Sequence, residues 1–329
     1  MKVLVYEYIT GGGLRGERLP ASLLREGGLM LESVVGDLLD LDGISVTVLR
    51  DDRLAPMPER AGLTLRGVAS ATELPLIWRA EVAATDATLP IAPESGGILE
   101  ALCTDVERAG KPLLTTPADG VRLAASKLQT ARRLSHHGAP VVPTERWPSA
   151  SPTWPCVIKP DDGVGCEGTR IFDQGDGAPA LNEETAWVVQ PLVPGEALSL
   201  SGLFCNGAAR LLSCNRQMIE RAGNAFVLRG CLVNARSDTD GSWQALLDDI
   251  AQAVPELWGY AGVDLVLGAD GPQVLEINPR LTTSYAGLRD ALGLNPARLL
   301  LDLKTTGVLP GPVRGRETIE IAWRTEFAE

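Results

Sequence analysis

Asp264, Glu276 and Asn278 are residues whose types and spacing could hold a metal ion, with Arg280 close behind them. Asp264 lies in an apolar run of strand character, residues 263–267, and a second such run, residues 274–277, carries Glu276 and leads into Asn278. Between them, Gly268-Ala269-Asp270-Gly271-Pro272 reads as a tight turn, because glycine and proline punctuate extended runs in this way. The expected hairpin would bring Asp264, Glu276 and Asn278 together. Glu276 and Asn278 are two apart and share one strand face. Hard oxygen donors in that arrangement suit Mg²⁺, which takes one or two carboxylates and completes its octahedron with phosphate oxygens and water. Arg280 continues the alternation and would add a fixed cation. The plainer alternative is a solvent-facing polar stripe on an ordinary hairpin.

A second cluster lies upstream. Lys159 ends an apolar run, and the loop of residues 161–168 follows with Asp161, Gly163, Gly165 and Gly168. Backbone N–H groups of such a turn can wrap anionic oxygens, and glycine permits close approach. Lys159 could add a point charge to phosphate. The loop lacks G-x-x-x-x-G-K-[ST] and is no Walker A loop; the plain alternative is a hairpin turn with a surface lysine. Leu192 and Val193 could sandwich a base, and Glu196 could accept bonds from ribose hydroxyls. Near the start, Gly11, Gly13 and Gly16 satisfy G-x-G-x-x-G after a first strand. A dinucleotide site should open a helix directly and place an acid about 20 residues on. Here Arg15, Gly16, Arg18 and Pro20 interrupt, and Asp51 comes late. An NAD(P)-dependent oxidoreductase is therefore the alternative from another reaction class.

The bulk properties narrow the classes. The chain has 329 residues, 45% of them hydrophobic, and a net charge of -12. It can bury a sizeable core in two or three domains. Its acidity argues against nucleic-acid or anionic-membrane partners, which call for a basic footprint. No apolar run reaches the length of a membrane span, and Met1 runs straight into a strand with no signal-peptide pattern. Six scattered cysteines without a C-x-x-C pair, and two adjacent histidines, His136 and His137, make neither a disulfide framework nor a zinc site. A reducing cytoplasm is the expected compartment. Cys166 lacks a separated histidine as base and reads as a small filler in the loop.

The elements that must position these residues form three units. Residues 1–119 alternate strands (3–8, 44–49, 76–79, 89–92, 112–115) with helices (22–40, 97–109), the pattern of a parallel α/β sheet. The loop of residues 93–97 sits where ligands bind in such sheets; Glu94 or Ser95 could contact substrate, or Ser95 could simply cap the helix. Residues 120–190 read as a small α+β unit: a helix over 127–136, an edge segment over 141–144, then strands flanking the glycine loop. Residues 191–329 read as an antiparallel set (198–205, 209–216, 263–267, 274–277) with helices over 243–258 and 288–303. Residues 318–323 alternate like one more strand, without an assigned partner.

Together these residues resemble the ATP-grasp superfamily: Lys127 on a helix, Lys159 on a strand, the loop of residues 161–168, a hinge over 190–196, Asp264, then Glu276-Ile277-Asn278-Pro279-Arg280. The resemblance covers about residues 115–305, and the preceding α/β unit fits the family's N-terminal domain. It implies an ATP-grasp fold with an N-terminal parallel α/β domain, a small lid and a C-terminal antiparallel catalytic subdomain. It implies ATP and one or two Mg²⁺, with Mn²⁺ as a substitute. Lys127 and Lys159 would contact phosphates, and Asp161, Gly163, Gly165 and Gly168 would close over them. Gln190, Leu192, Val193 and Glu196 would line the adenosine site. Asp264, Glu276 and Asn278 would hold the metal, and Arg280 would stabilise a reacting acyl phosphate.

Tyr6-Glu7-Tyr8 with Thr10-Gly11-Gly12-Gly13, Ala92-Pro93-Glu94-Ser95-Gly96-Gly97 and Arg280-Leu281-Thr282-Thr283-Ser284-Tyr285 resemble a narrower family. These are the tyramine–glutamate ligases of methanofuran biosynthesis and their bacterial relatives. The resemblance implies an amide bond between glutamate and tyramine or tyrosine, small-molecule partners and a homodimer as one assembly. Glu7 would meet the incoming ammonium, or serve as a strand-end polar residue; Thr282, Thr283 and Ser284 would hold the carboxylate substrate, or cap a helix. Another amino acid and amine pair, and a non-catalytic ATP sensor, stay open as alternatives. No residue stands out as the general base.

Overall fold

The computed structural model describes residues 1–148, 152–176 and 181–322. Its first sheet is parallel, in the order β3-β2-β1-β4, from β1 (Lys2–Glu7), β2 (Ser45–Asp51), β3 (Leu63–Val68) and β4 (Ala87–Ile91). Alternate residues of β1 feed opposite cores. Val3 and Val5 pack with Met30, Leu31 and Val34 of α1 (Ala21–Leu39), whereas Leu4 and Tyr6 pack with α2 (Leu74–Ala84) and α3 (Ile98–Arg108). A parallel strand covered on both faces is apolar throughout, which explains the unbroken run at the N-terminus.

Two expectations for this unit need correction. Residues 76–79 are helical, not a strand: Trp78 and Val82 are buried at helical spacing, and Pro75 lies in the first turn of α2, where its missing N–H costs nothing. The third strand is instead β3, an edge strand that buries only Val68 of its six residues and so carries a weak apolar signal. Residues 112–115 form one bridge, Leu113 to Thr88, and then bend, without making a strand.

α4 (Ala118–Ala125) and α5 (Lys127–His136) lead to the lid sheet, β5-β8-β6-β7, built from β5 (Glu145–Trp147), β6 (Cys156–Pro160), β7 (Arg170–Phe172) and β8 (Trp187–Pro191). Cys156, Ile158, Phe172 and Val189 form its small core. The expected edge segment over 141–144 contributes only a bridge from Val141 to Val274, and the strand begins at Glu145.

The third sheet runs β13-β12-β9-β10-β11-β14, from β9 (Glu196–Cys205), β10 (Ala208–Ala222), β11 (Ala225–Arg236), β12 (Gly259–Gly268), β13 (Gly271–Asn278) and β14 (Ile319–Ala322). β11 was not anticipated; Arg229, Gly230, Asn234 and Arg236 dilute its apolar pattern. The tail forms β14, and β11 is its missing partner, the two pairing antiparallel; Trp323 of that expectation lies outside the described residues. α6 (Ser242–Ala253) covers one face and stops short of Trp258. The single helix expected over 288–303 is two, α7 (Tyr285–Leu292) and α8 (Pro296–Thr306). Gly293 ends the first in the left-handed region and Asn295 caps the second, the common stop and start signals.

α1 packs against α7 and α8. Within that contact the buried carboxylate of Asp37 accepts hydrogen bonds from Tyr285 Oη at 3.0 Å and Arg289 at 3.1 Å. This fixes the N-terminal unit over the catalytic sheet.

Candidate active site

The β12–β13 hairpin forms as expected, with Asp264 opposite Glu276 and Gly262 opposite Asn278. Asn278 Nδ2 donates to Asp264 Oδ2 at 3.1 Å, and Gln217 Nε2 on β10 donates to Oδ1 at 2.9 Å. Glu276 faces two buried cations: Lys127 Nζ lies 3.3 Å and Lys159 Nζ 3.5 Å from Oε2. The two carboxylates are therefore driven apart. Burial and the facing Glu276 raise the Asp264 carboxyl far above the aspartate range. Burial also pushes Glu276 up, but the two lysines overcome it and hold it low. Lys159 is itself lowered, chiefly by burial.

Local structure explains why Lys127 and Lys159 meet. Ser126 caps α5 by accepting from Gln129 N. Asp161 accepts from Ser126 Oγ and Leu128 N at 2.8 and 2.9 Å. Asp161 thus ties the glycine loop to the helix carrying Lys127, and its carboxylate is taken by those bonds. Gly163 lines the cavity, and its carbonyl accepts from Lys127 Nζ. Gly165 and Cys166 both adopt positive φ, 60° and 65°, a tight turn that exposes backbone toward the site. Gly168 packs on Pro160 and takes no part in the cavity wall. The Cys166 thiol, in the same cavity, is pushed up to about 11 by burial and then by Glu276 and Asp264, so it is no thiolate nucleophile.

A cavity of about 610 Å³ lies between the lid and the large sheet. Gln190, Leu192, Val193 and Glu196 line one end, opposite Val266 and Leu275. Gln190 is held by a bond from Nε2 to Thr144 at 2.8 Å. A β-carbon on Gly195 would stand 2.5 Å from Leu267 O, so the hinge needs glycine there. The Glu196 carboxylate is engaged by Arg216 and Arg236.

At the other end, Arg280 donates from Nε and Nη2 to Glu94 Oε2 at 3.3 and 3.1 Å. Glu94 is buried and pairs with Arg280 without lining the cavity. Ser95 neither lines the cavity nor caps α3: its Oγ donates to Asp162 O at 3.0 Å, while Gly96 N donates to the Asp162 carboxylate. Those bonds latch the glycine loop to the N-terminal unit. Glu7 is also removed from the cavity; its oxygens accept from Ile9 N and Thr10 N at 3.1 and 2.7 Å. It shapes its own turn and is not presented to a substrate ammonium. Thr282, Thr283 and Ser284 do line the cavity. Ser284 makes no capping bond to α7. Its hydroxyl and that of Thr282 join buried Tyr260 Oη, at 3.2 and 2.9 Å, with Ser201 completing the cluster.

The Gly11–Gly16 loop is filled by protein. Gly11 lies against the Tyr6 ring and Gly13 against the Tyr8 ring, too close for a β-carbon. No helix opens from the loop, since α1 begins at Ala21. Asp51 is buried between Arg15 and Arg53. This disposes of the dinucleotide reading. Sequence reasoning missed Gln217, Glu26 and Tyr260, which have no motif spacing; strand and helix placement bring Gln217 and Glu26 to the cavity, and buried Tyr260 backs Thr282 and Ser284.

With two buried lysines facing the paired acids of a hairpin and an arginine beyond them, the chain is an ATP-dependent carboxylate–amine ligase and belongs to the ATP-grasp superfamily. Residues 124–284 match the ATP-grasp domain family and residues 44–121 the pre ATP-grasp 3 domain family. The chain is similar along 96% of its length to two tyramine–L-glutamate ligases. That of Methanocaldococcus jannaschii is 24% identical over 317 residues, 93% of its length. That of Methanocaldococcus fervens is 26% identical over 326 residues, 98% of its length. Among solved structures, an ATP-grasp superfamily protein from Archaeoglobus fulgidus superposes with a TM-score of 0.70 at 25% identity, covering 96% of this chain and 91% of that one. An L-amino acid ligase from Bacillus licheniformis shares the fold, with a TM-score of 0.64 at 15% identity and coverage of 93% and 74%.

Proposed function

We propose that the chain joins glutamate to an aromatic amine, tyramine or tyrosine, through an acyl phosphate made at the expense of ATP, in the assembly of a methanofuran-type cofactor. The single observation that supports the chemistry best is Glu276, facing Lys127 and Lys159, set opposite Asp264 in one cavity with Arg280. Similarity along nearly the whole chain to two tyramine–L-glutamate ligases supports the substrates.

The donor set fits Mg²⁺. Asp264 and Glu276 are paired across the hairpin, Asn278 adds an amide oxygen, and Asp264 has amide donors but no cation within ion-pair distance among the described residues. Nor do three His, Cys, Asp or Glu side chains converge into a metal site among those residues. The site thus suits an ion that shares its coordination with phosphate and water. Asp264, Glu276 and Asn278 would hold it, and it would neutralise charge on the transferred phosphoryl group.

The chain's own residues do the rest by positioning and charge. Leu192, Val193, Val266 and Leu275 enclose the base, and Glu196 stands within reach of the sugar. Lys127 and Lys159 hold the phosphates, and the loop of residues 161–168 shuts out water that would hydrolyse the intermediate. A glutamate carboxylate oxygen attacks the γ-phosphorus and ADP departs. Arg280, fixed by Glu94, stabilises the acyl phosphate. The amine nitrogen then attacks the acyl carbon and phosphate leaves. The test uses glutamate labelled with heavy oxygen in the reacting carboxylate. One labelled oxygen should appear in the released phosphate; unlabelled phosphate would exclude the acyl-phosphate route.

A further inference from the structure

One carboxylate in the cavity has no role in the reading above. Glu26, in the second turn of α1, lines the cavity, and among the described residues its carboxylate has no hydrogen-bond or ion-pair partner. Its position is fixed from both sides. A β-carbon on the adjacent Gly27 would stand 2.6 Å from the Glu7 carboxylate, so α1 lies directly on that strand end. Farther along α1, Asp37 is bonded by Tyr285 and Arg289. Glu26 is thus held on a rigid helix.

The local charge is unbalanced. Three carboxylates from the N-terminal unit surround Arg280: Glu94 bonds to it, and Glu7 and Glu26 feel its field. Glu7 is satisfied by backbone amides. Glu94 gives one oxygen to Arg280, and its other oxygen is buried without a partner. Glu26 alone of the three reaches the cavity. Burial raises its carboxyl, with Arg280 opposing, which favours a group that can hold a proton briefly. Of the three acids grouped around the one guanidinium, Glu26 is the one placed where a ligand ammonium entering the cavity could meet it.

We propose that Glu26 is the catalytic residue that receives the amine: it binds the substrate ammonium and takes one of its protons. The proposal rests on the ligase reading above. The freed nitrogen attacks the acyl carbon, the C–N bond forms and the acyl C–O bond to phosphate breaks. A second proton leaves nitrogen with the departing phosphate, and Glu26 returns its own proton to water.

The test compares the parent and Glu26→Gln, which keeps the side-chain shape, with two nucleophiles. Tyramine must bind as a cation, whereas hydroxylamine is neutral at neutral pH and traps the acyl phosphate as a hydroxamate. The expected result is a loss of about ten- to a hundred-fold in kcat/KM for tyramine, the scale of a lost charge-assisted contact. The KM for glutamate should hold, and glutamyl hydroxamate should still form. Parallel loss of both products, a rise in the glutamate KM instead, or unchanged amide formation would each overturn the role of Glu26. Failure of the parent to form hydroxamate from glutamate would refute the substrate assignment separately. Calorimetric binding of tyramine to the two proteins then decides for Glu26 without turnover: equal affinity rejects the proposal.

Discussion

Replacing Asp264 with Asn should stabilise the ligand-free protein above neutral pH while it disables the reaction. Folding lifts this carboxyl from 3.8 to about 7, first through burial and then through Glu276 opposite. A group that binds its proton more tightly when folded stabilises fully below its unfolded pKa and loses that contribution as pH rises through the folded value. For Asp264 the contribution is lost as pH rises from the ordinary aspartate range toward neutrality. Asparagine carries no charge to bury, but its amide cannot accept from both Gln217 and Asn278 as the carboxylate does. One of those amides must turn, so we expect a net gain of about 1–2 kcal/mol at about pH 8 and none at about pH 5. Urea denaturation in the presence of a chelator, at both pH values, reads the difference. Mg²⁺ with a nucleotide should reverse the order, because only the parent carries the full ligand set. A variant less stable than the parent at both pH values, or a difference that does not change with pH, would refute the reasoning.

Glu276→Gln should leave Lys127 and Lys159 without their counter-ion, cost about 3 kcal/mol in stability, and abolish Mg²⁺-dependent turnover; near-normal activity would remove Glu276 from the site. Lys159→Ala should weaken ATP binding by about 1–3 kcal/mol, measured by calorimetry, and unchanged affinity would count against its contact with phosphate. Glu94→Gln should loosen Arg280 and lower kcat about tenfold with little change in the ATP KM; a change confined to ATP affinity would contradict its positioning role. On acidification, the Glu276–lysine contact should be lost only below the ordinary carboxylate range, since Glu276 is held low; its stabilisation is present above the unfolded pKa and disappears as pH falls.

The β12–β13 hairpin was legible because its signals are local: period-two alternation, a glycine-proline turn and two acids in fixed phase. The same holds for Lys159 before its loop and for β1. Other features depend on neighbours distant in sequence. Glu7 looked available, yet the turn after β1 folds back and saturates its carboxylate with Ile9 and Thr10 amides. Ser95 looked like a cap, yet it reaches across 67 residues to Asp162. β3 and β11 were overlooked because polar residues and glycine interrupt their apolar pattern. Glu26 and Tyr260 sit in ordinary helix and strand sequence, and only the docking of α1 on α7 and the pairing of β12 with β9 bring them to the site.

The most direct test of the central claim is phosphate release from ATP and Mg²⁺ with L-glutamate, with and without tyramine or tyrosine. The account predicts release that depends on glutamate and is greatly stimulated by one of the two amines, with ADP and the amide formed in equal amounts. ATP binding without phosphate release in the presence of both substrates would contradict it.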